Sequence, residues 1–251
     1  MTVRVARVPH LNAEAFYIDM VRRGLQLLEL LPSRVAPAIE RGEVDAGPVP
    51  LVDAFRLEDR CKPVAGFCIA AAEKARSVLL YSKLPVEELN GARIALTDKS
   101  GTAHRLLQVL LSLKHQVQPE AYVAMEDSYD AFLITDDQAL RRRRGVRGYP
   151  HRYDLGEEWF QWTGLPFVFS RWVARNDLNA DDSLLLEDTL YVGLDEGVEV
   201  LFHESEPRDR LLMLPKDVVE YIQGLRFFIG LSERKAIDLF RKYMDQLRLD
   251  A

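Results

Sequence analysis

Short strand-like runs alternate with amphipathic segments from the start of the chain, and this alternation restricts the fold more than any other feature. Val3–Pro9 predicts a strand, and the segment AEAFYIDMVRRG predicts a helix that ends at Gly24. A short helix that ends at Gly42 and a strand that begins at Val44 follow. This β-α-β-α-β order is typical of a mostly parallel sheet covered by helices, in which ligands bind at the carboxyl ends of the strands.

The same pattern begins again in the middle of the chain, which predicts an α/β fold with two lobes. The strand-like run Ala75–Lys83 is followed by a turn and a helix, and FVFSRWVAR indicates a long strand that returns to the first lobe. We expect residues 1–84 and 173–251, with C-terminal helices over 180–202 and 215–247, to form the first lobe, and residues 85–172 to form the second. Two crossing strands then form a hinge beside a central cleft.

Charge and hydropathy argue against two classes of partner. The net charge of −6 disfavours a general nucleic-acid surface, and no apolar run approaches the roughly 18 to 20 residues of a membrane span. The N-terminal segment MTVRVARVPHLN lacks the apolar stretch of a signal peptide, so we expect a cytoplasmic protein. The basic block Arg141–Gly148 is either a solvated helix end or a phosphate or RNA patch.

The sequence contains no standard metal-binding or catalytic motif. Its five histidines lack ligand spacing, so we expect no metal. Cys61 and Cys68 lie in a mostly apolar segment, which predicts buried free thiols. GxGxxG, Walker A, GxSxG, HExxH and CxxC are all absent. Functional groups must therefore be sought in turns that face the cleft.

Two turns of the middle region have the composition of anion-binding sites. Each places hydroxyl and backbone N–H groups beside a helix or a strand, and the first precedes a helix, whose N-terminus attracts anions. Ordinary helix capping and ordinary turn chemistry are the alternatives. Two such turns favour a small ligand with carboxylate groups. The residues are Ser100, Gly101 and Thr102 in the first turn and Thr163, Gly164 and Leu165 in the second.

Two uncharged residues are further candidates at the cleft. Asn12 follows the first strand, so it either caps the next helix or faces the cleft. Ser77 lies on a crossing strand, where it is either a spacer or a cleft residue. Neither side chain acts as a base at pH 7 without an activating partner.

Five segments stand in order over roughly residues 3 to 176, namely VPHLNAEAFY, GEVDAGPVPLVDAF, ARSVLLYSKLPVEELNGARIALTDKSGTAHRLL, AFLITDDQAL and YDLGEEWFQWTGLPFVFSRWVAR. Together they resemble the chorismate dehydratase family of the futalosine route to menaquinone. The resemblance implies a fold similar to type II periplasmic binding proteins. It also implies a cytoplasmic hydro-lyase that converts chorismate to 3-[(1-carboxyvinyl)oxy]benzoate and water without metal or organic cofactor.

The resemblance also implies roles for the candidate residues. Asn12 and Ser77 match polar residues near the departing hydroxyl, and the Ser100–Thr102 and Thr163–Leu165 turns match the parts that hold the substrate carboxylates. This chain departs from the family at three positions. Ala103 stands where a second hydroxyl residue is expected, which removes one carboxylate contact, and Thr135 and Glu73 stand for glycines in turns.

The implied reaction leaves the proton acceptor open. Since Asn12 and Ser77 do not ionise, a carboxylate of the substrate removes the C3 proton in one hypothesis, and His10 or Glu14 removes it in the other. Three aromatic residues either line the cleft and exclude water or belong to an inter-helix core. They are Trp159, Trp162 and Phe167.

Three other functions remain as alternatives. One is a solute-binding protein without catalysis, and another is the related dihydroxynaphthoate synthase, whose N-terminal turn is of a Ser-Pro-Asn type rather than PHLN. The last is a ligand-sensing regulatory domain, which the lack of a helix-turn-helix segment before Val3 disfavours. The solute-binding alternative would take a small anion, and the synthase alternative a cyclic futalosine-derived substrate.

Overall fold

Two β-sheets form the framework of residues 2–97 and 101–249, which are the residues that the computed structural model describes. Ser100 lies outside these residues. The first sheet contains β1 (Arg4–Arg7), β2 (Gln26–Glu29), β3 (Ala46–Pro50), β4 (Cys61–Ala71), β10 (Phe167–Arg175) and β11 (Leu225–Phe228). The second contains β5 (Val78–Ser82), β6 (Arg93–Leu96), β7 (Ala121–Val123), β8 (Ala131–Thr135) and β9 (His151–Asp154).

The first sheet is mixed, with strand order β11-β4-β10-β3-β1-β2. β1 pairs in parallel with β2 and β3, as the alternating N-terminal pattern predicts. β10 runs antiparallel to both β3 and β4, so the long strand predicted from FVFSRWVAR does return to the first sheet. β10 thereby joins the N-terminal strands to the rest of the sheet.

The second sheet has the order β7-β6-β8-β5-β9 and begins earlier in the chain than the expected lobe boundary at residue 85. β5 is an inner strand of this sheet, paired antiparallel with β8 and β9, rather than a crossing strand. The expected boundary at residue 172 falls inside β10, which belongs wholly to the first sheet. The chain therefore crosses between the sheets at residues 72–77 and 164–166.

Eight α-helices cover the sheets in the described residues. None of these helices is both long enough and apolar enough to span a membrane. They are α1 (Pro32–Glu40), α2 (Leu51–Arg56), α3 (Thr102–Val109), α4 (Asp136–Arg142), α5 (Leu155–Thr163), α6 (Ala180–Phe202), α7 (Pro215–Gln223) and α8 (Leu231–Gln246).

The helix predicted to end at Gly24 is wrong in type. A 3-10 helix spans Leu11–Tyr17, and turns follow to Gly24. This segment packs directly on α6, where a Cβ at Gly197 would overlap the backbone of Ala15. The backbone geometry is therefore set by a close tertiary contact, which outweighs the amphipathic pattern.

The predicted C-terminal helix over 215–247 is interrupted. α7 ends before Gly224, and β11 then pairs antiparallel with β4 at the edge of the first sheet. The sequence LRFF combines aromatic residues with flanking glycines, which favours a strand here. α8 follows, and its Phe240 and Met244 are buried in the same apolar cluster as Trp159 of α5. The C-terminal residues thus complete the core beneath the second sheet as well as the first.

The first crossing segment, residues 72–77, is held by a carboxylate of the second sheet. Asp154, at the end of β9, accepts hydrogen bonds from the backbone N–H groups of Ala75 (2.9 Å) and Arg76 (2.6 Å). It also accepts from Gly156 and Glu157, so it is the N-cap of α5. One side chain therefore fixes both the hinge and the helix that follows.

We predict that Asp154→Ala lowers the free energy of unfolding by about 2 to 4 kcal/mol, since a helix cap and several N–H partners are lost together. Asp154→Asn is the matched variant. Its remaining oxygen can replace Oδ1, which accepts three of the four bonds, so only the bond from Arg76 is lost. Urea unfolding checks both, and equal losses for Ala and Asn would contradict the assigned geometry.

Candidate functional site

A cleft, whose empty space is about 970 Å³ when the part open to solvent is included, is lined by residues from both sheets and from the helices that follow their strands. Its wall is mostly apolar and includes Ile69, Leu133 and Phe169. The structure brings four of the candidate residues into this wall, from segments that are far apart in the chain. They are Asn12, Ser77, Gly101 and Thr102.

Asn12 and Ser77 are linked through a residue that the sequence did not reveal, Tyr221 of α7. The Tyr221 hydroxyl donates a hydrogen bond to Ser77 Oγ (2.9 Å), and the Asn12 side chain makes a further polar contact with the same hydroxyl. The Ser77 hydroxyl in turn donates to the carbonyl oxygen of Ala75 (3.1 Å). His10, not Asn12, is the N-cap of the 3-10 helix, so Asn12 faces the cleft instead of capping.

The N-terminus of α3 faces the cleft through Gly101, Thr102 and Ala103. Thr102 does not cap its own helix, because its Oγ1 accepts the backbone N–H of Val52 in α2 (3.2 Å). This contact ties a helix of the second lobe to a helix of the first. Ala103 lies on the wall where a second hydroxyl was expected, so that position provides no side-chain hydrogen bond.

The second candidate turn, Thr163–Leu165, does not belong to the cleft wall. Thr163 Oγ1 donates to the carbonyl oxygen of Trp159 (2.9 Å) and accepts the N–H of Leu165 (3.2 Å). Gly164 adopts a left-handed conformation with φ of +69° and closes the end of α5. These hydrogen bonds and the left-handed Gly164 are ordinary features of a turn at a helix end, so we assign these residues no ligand contact.

The aromatic residues around this turn form core instead of a water-excluding wall. Trp159 is fully buried, its Nε1 donates to the carbonyl oxygen of Pro166 (3.1 Å), and its ring packs edge-on against Phe167 and Phe240. Trp162 stacks on Tyr243 of α8. These contacts anchor the second crossing segment, and the aromatic residue that lines the cleft is Phe169.

The candidate bases lie beside the cleft, not in its wall. Glu14 pairs with Arg208 (2.6 Å), and His10 lies between the carboxylates of Asp136 (4.0 Å) and Asp137 (3.6 Å). Burial lowers the pKa of His10, but the two carboxylates raise it by more, so its pKa lies above the ordinary value. The His10 contacts join the first lobe to α4.

Asp136 is the carboxylate that lines the cleft within residues 2–97 and 101–249. It is the first residue of α4 and adopts a left-handed conformation with φ of +53°. Its N–H donates to the carbonyl oxygen of Ser77 (2.7 Å), which places the two residues side by side. An acidic pair after a strand is common in the first turn of a helix, so the sequence did not distinguish Asp136 as a site residue.

Ser170 of β10 is a further site residue that the sequence did not reveal. Its Oγ is buried at the cleft and has no hydrogen-bond partner in the described structure. The residue opposite it on β3 is Pro50, which has no N–H group to donate. A buried hydroxyl without a partner costs free energy, so Ser170 is poised to bind a polar ligand group.

The described residues contain no group of three or more His, Cys, Asp and Glu side chains placed to hold a metal ion. Cys61 and Cys68 are both buried and free, which confirms the prediction for the thiols. Burial raises the pKa of both and brings that of Cys68 to about 12, so both thiols are protonated near neutral pH.

The basic block contributes to structure through Arg143. Its guanidinium pairs with Asp217 of α7 (2.6 Å) and donates to the carbonyl oxygen of Leu212 (2.8 Å). The carbonyl of Arg142 accepts the hydroxyl of Tyr81 (2.6 Å). These bonds satisfy the end of α4 and support the helix-end alternative for this segment.

Comparisons with known proteins show which family the sequence matches. A profile of a family described as menaquinone biosynthesis matches residues 3–246. A chorismate dehydratase from Thermus thermophilus is 27% identical over 237 residues, which cover 86% of each chain.

Solved structures show the same fold at low sequence identity. A protein from Archaeoglobus fulgidus superposes with a TM-score of 0.75 at 14% identity over 99% of this chain and 98% of that one. The alkanesulfonate-binding protein of Xanthomonas axonopodis pv. citri, bound to MOPS, gives 0.63 at 13% identity over 100% and 94%. The expected periplasmic-binding-protein-like fold is thus confirmed.

Ser170→Ala is predicted to raise the free energy of unfolding of the ligand-free protein by about 1 kcal/mol, because it removes a buried hydroxyl that has no partner. Ser82→Ala is the matched control. Ser82 is also buried, but its Oγ accepts the N–H of Leu84 (3.1 Å), so its removal should destabilise. Urea unfolding measures both, and a loss of stability in Ser170→Ala would show that this hydroxyl is already paired.

The His10 contacts predict a pH-dependent contribution to stability. Because the folded-state pKa is raised, protonated His10 stabilises the fold fully below its unfolded pKa, and this gain is lost as pH rises through the folded value. His10→Gln should therefore cost more stability at pH 5.5 than at pH 8.5, by up to about 1 kcal/mol for partly exposed ion pairs. Urea unfolding at both pH values measures this, and the pH dependence should shrink in an Asp137→Asn background.

Proposed function

Because the chain belongs to the menaquinone biosynthesis family, we propose that it is a chorismate dehydratase, which converts chorismate to 3-[(1-carboxyvinyl)oxy]benzoate and water. One observation carries the proposal. Asn12 and Ser77, from different parts of the chain, meet at one polar cluster on the wall of the cleft that the α3 N-terminus also faces. The polar cluster can hydrogen-bond the substrate hydroxyl, and the N-terminus of α3 can bind a substrate carboxylate.

The charge of the wall is compatible with a dianion held by dipoles. The described part of the wall carries no Lys or Arg side chain, so backbone N–H groups at Gly101 and Thr102 and uncharged side chains would bind the carboxylates. The apolar residues Ile69, Leu133 and Phe169 would pack on the carbon ring. Against an apolar wall each hydrogen bond is stronger than in water.

The reaction is a 1,2-elimination. The C3–H and C4–O bonds break, the electron pair of C3–H forms the last double bond of an aromatic ring, and the proton and hydroxide leave as water. Aromatisation supplies a large driving force, which reduces the need for a strong enzyme base. Orientation of the bound substrate supplies most of the rate in this proposal, an effect that reaches roughly 7 to 11 kcal/mol in well-aligned systems.

A carboxylate of the substrate is the proposed proton acceptor. Glu14 is engaged with Arg208, and His10 is engaged with two aspartates, which supports this assignment over either residue. Asp136 is the competing carboxylate on the cleft wall. Asn tolerates the left-handed conformation at this position, so Asp136→Asn tests the competitor without a change in backbone.

We predict that Asn12→Ala and Ser77→Ala each lower kcat by about 10²- to 10³-fold, as the loss of an oriented hydrogen-bonding group does in other active sites. His10→Gln, Glu14→Gln and Asp136→Asn should each stay within about tenfold of wild type, because none of them takes the proton. Purified protein with chorismate, followed by absorbance and mass of the aromatic product, gives these rates.

The same assay separates the alternatives. A loss of several orders of magnitude in Asp136→Asn, His10→Gln or Glu14→Gln would reject the substrate-assisted mechanism in favour of that residue. Chorismate that binds but survives unchanged would reject the lyase and favour a small-anion binding protein. Chorismate that neither binds nor reacts would favour another substrate, as in the dihydroxynaphthoate synthase alternative.

A further inference from the structure

We propose that Tyr221 is a positioning residue for this reaction, because its hydroxyl orients Ser77 toward the substrate. The inference rests on the proposed function and adds to it a residue of α7, outside the segments that carry the family resemblance. Tyr221 is separated from Ser77 by 144 residues, and only the fold brings them together.

The position of Tyr221 is fixed by contacts between α7 and the first crossing segment. The carbonyl oxygen of Gly224 accepts the N–H of Ala72 (3.0 Å), and Glu220 pairs with Arg76 (2.9 Å). The Tyr221 hydroxyl bonds Ser77 (2.9 Å) at the end of the same segment. The Tyr221 side chain is 2% exposed, so it has little freedom to move.

The direction of the hydrogen bonds determines what Ser77 presents to the cleft. A serine hydroxyl has one proton and two lone pairs. The proton of Ser77 is used by the carbonyl of Ala75, and one lone pair is used by the proton of Tyr221. The remaining lone pair is left for the substrate hydroxyl, so Ser77 accepts a bond from that hydroxyl, and one of the two N–H groups of the Asn12 amide donates to its oxygen.

Tyr221 acts in this network as a donor. Burial raises its pKa above the ordinary value, and the nearby charges of Asp136 and Asp137 raise it further. The hydroxyl therefore stays protonated through the neutral range. Without the hydrogen bond from Tyr221, the Ser77 hydroxyl is less restricted in orientation. It then holds the geometry needed at the departing hydroxyl for a smaller fraction of the time.

Tyr221→Phe tests this role with little risk to folding, because Ser77 keeps its bond to Ala75 and no buried group is left without a partner. We expect kcat for chorismate dehydration to fall at least about tenfold, with KM within about twofold of wild type. Tyr81→Phe is the matched control. Tyr81 is also buried, and its hydroxyl bonds a backbone carbonyl, that of Arg142 (2.6 Å), away from the cleft.

A double-mutant cycle separates positioning from a merely structural role. If Tyr221 acts through Ser77, then Tyr221→Phe in a Ser77→Ala background should lower kcat by less than about twofold more. Urea unfolding of each variant accompanies the kinetics.

Three results would overturn the inference. They are a kcat of Tyr221→Phe within about twofold of wild type, an equal kcat loss in Tyr81→Phe, and independent effects of Tyr221→Phe and Ser77→Ala. In each of these, wild type still dehydrates chorismate and the proposed function stands. A wild-type protein that leaves chorismate unchanged removes the proposed function and this inference with it.

Discussion

The geometry of the cleft depends on how the first crossing segment is held. Asp154 binds two of its N–H groups from the second sheet. Glu220 of α7 and Gly224, which follows α7, bind it from the opposite side. A Cβ at Gly156 would lie 2.7 Å from the backbone nitrogen of Ala75, so only glycine permits this close approach of α5. A hinge in many binding proteins is free to bend. Here the hinge segment also carries Ser77, so the same bonds that restrict bending also position a candidate catalytic side chain.

In the described part of the cleft wall, dipoles stand where many anion sites use cations. An Arg or Lys in a closed cleft would bring a large desolvation cost, and its long side chain would need ordering. A helix N-terminus and backbone N–H groups are already ordered by the fold, so they attract a carboxylate with little further entropy loss. Asp136 is the exception, since its charge disfavours a nearby anion. Its proximity to His10 offsets part of this repulsion whenever His10 is protonated.

Strands were predictable where a local pattern decides them. FVFSRWVAR forms β10 over its whole length, and the run VLLYS forms β5, because both are apolar and rich in residues that favour strands. The helix after β1 was not predictable, since its geometry depends on contact with Gly197, far along the chain. The same distinction applies to the site. Asn12 follows a strand and could be proposed from position, whereas Tyr221 looks like any apolar-face residue of an amphipathic helix and becomes a candidate only through its contact with Ser77.

The fold is similar to that of solute-binding proteins, and the proposed reaction requires few catalytic groups beyond a binding cleft. A cleft that binds ground state and transition state equally well gains no rate in the chemical step. In the proposed lyase the difference arises where the C4–O bond breaks, because negative charge grows on the departing oxygen and strengthens a hydrogen bond from the Asn12 amide. The carboxylate that does not take the proton changes little in that step, so an α3 N-terminus that holds it contributes binding and orientation. On this argument a binding cleft becomes catalytic through one polar cluster, Asn12 with Ser77 and Tyr221, and the aromatic product supplies the driving force that the protein does not.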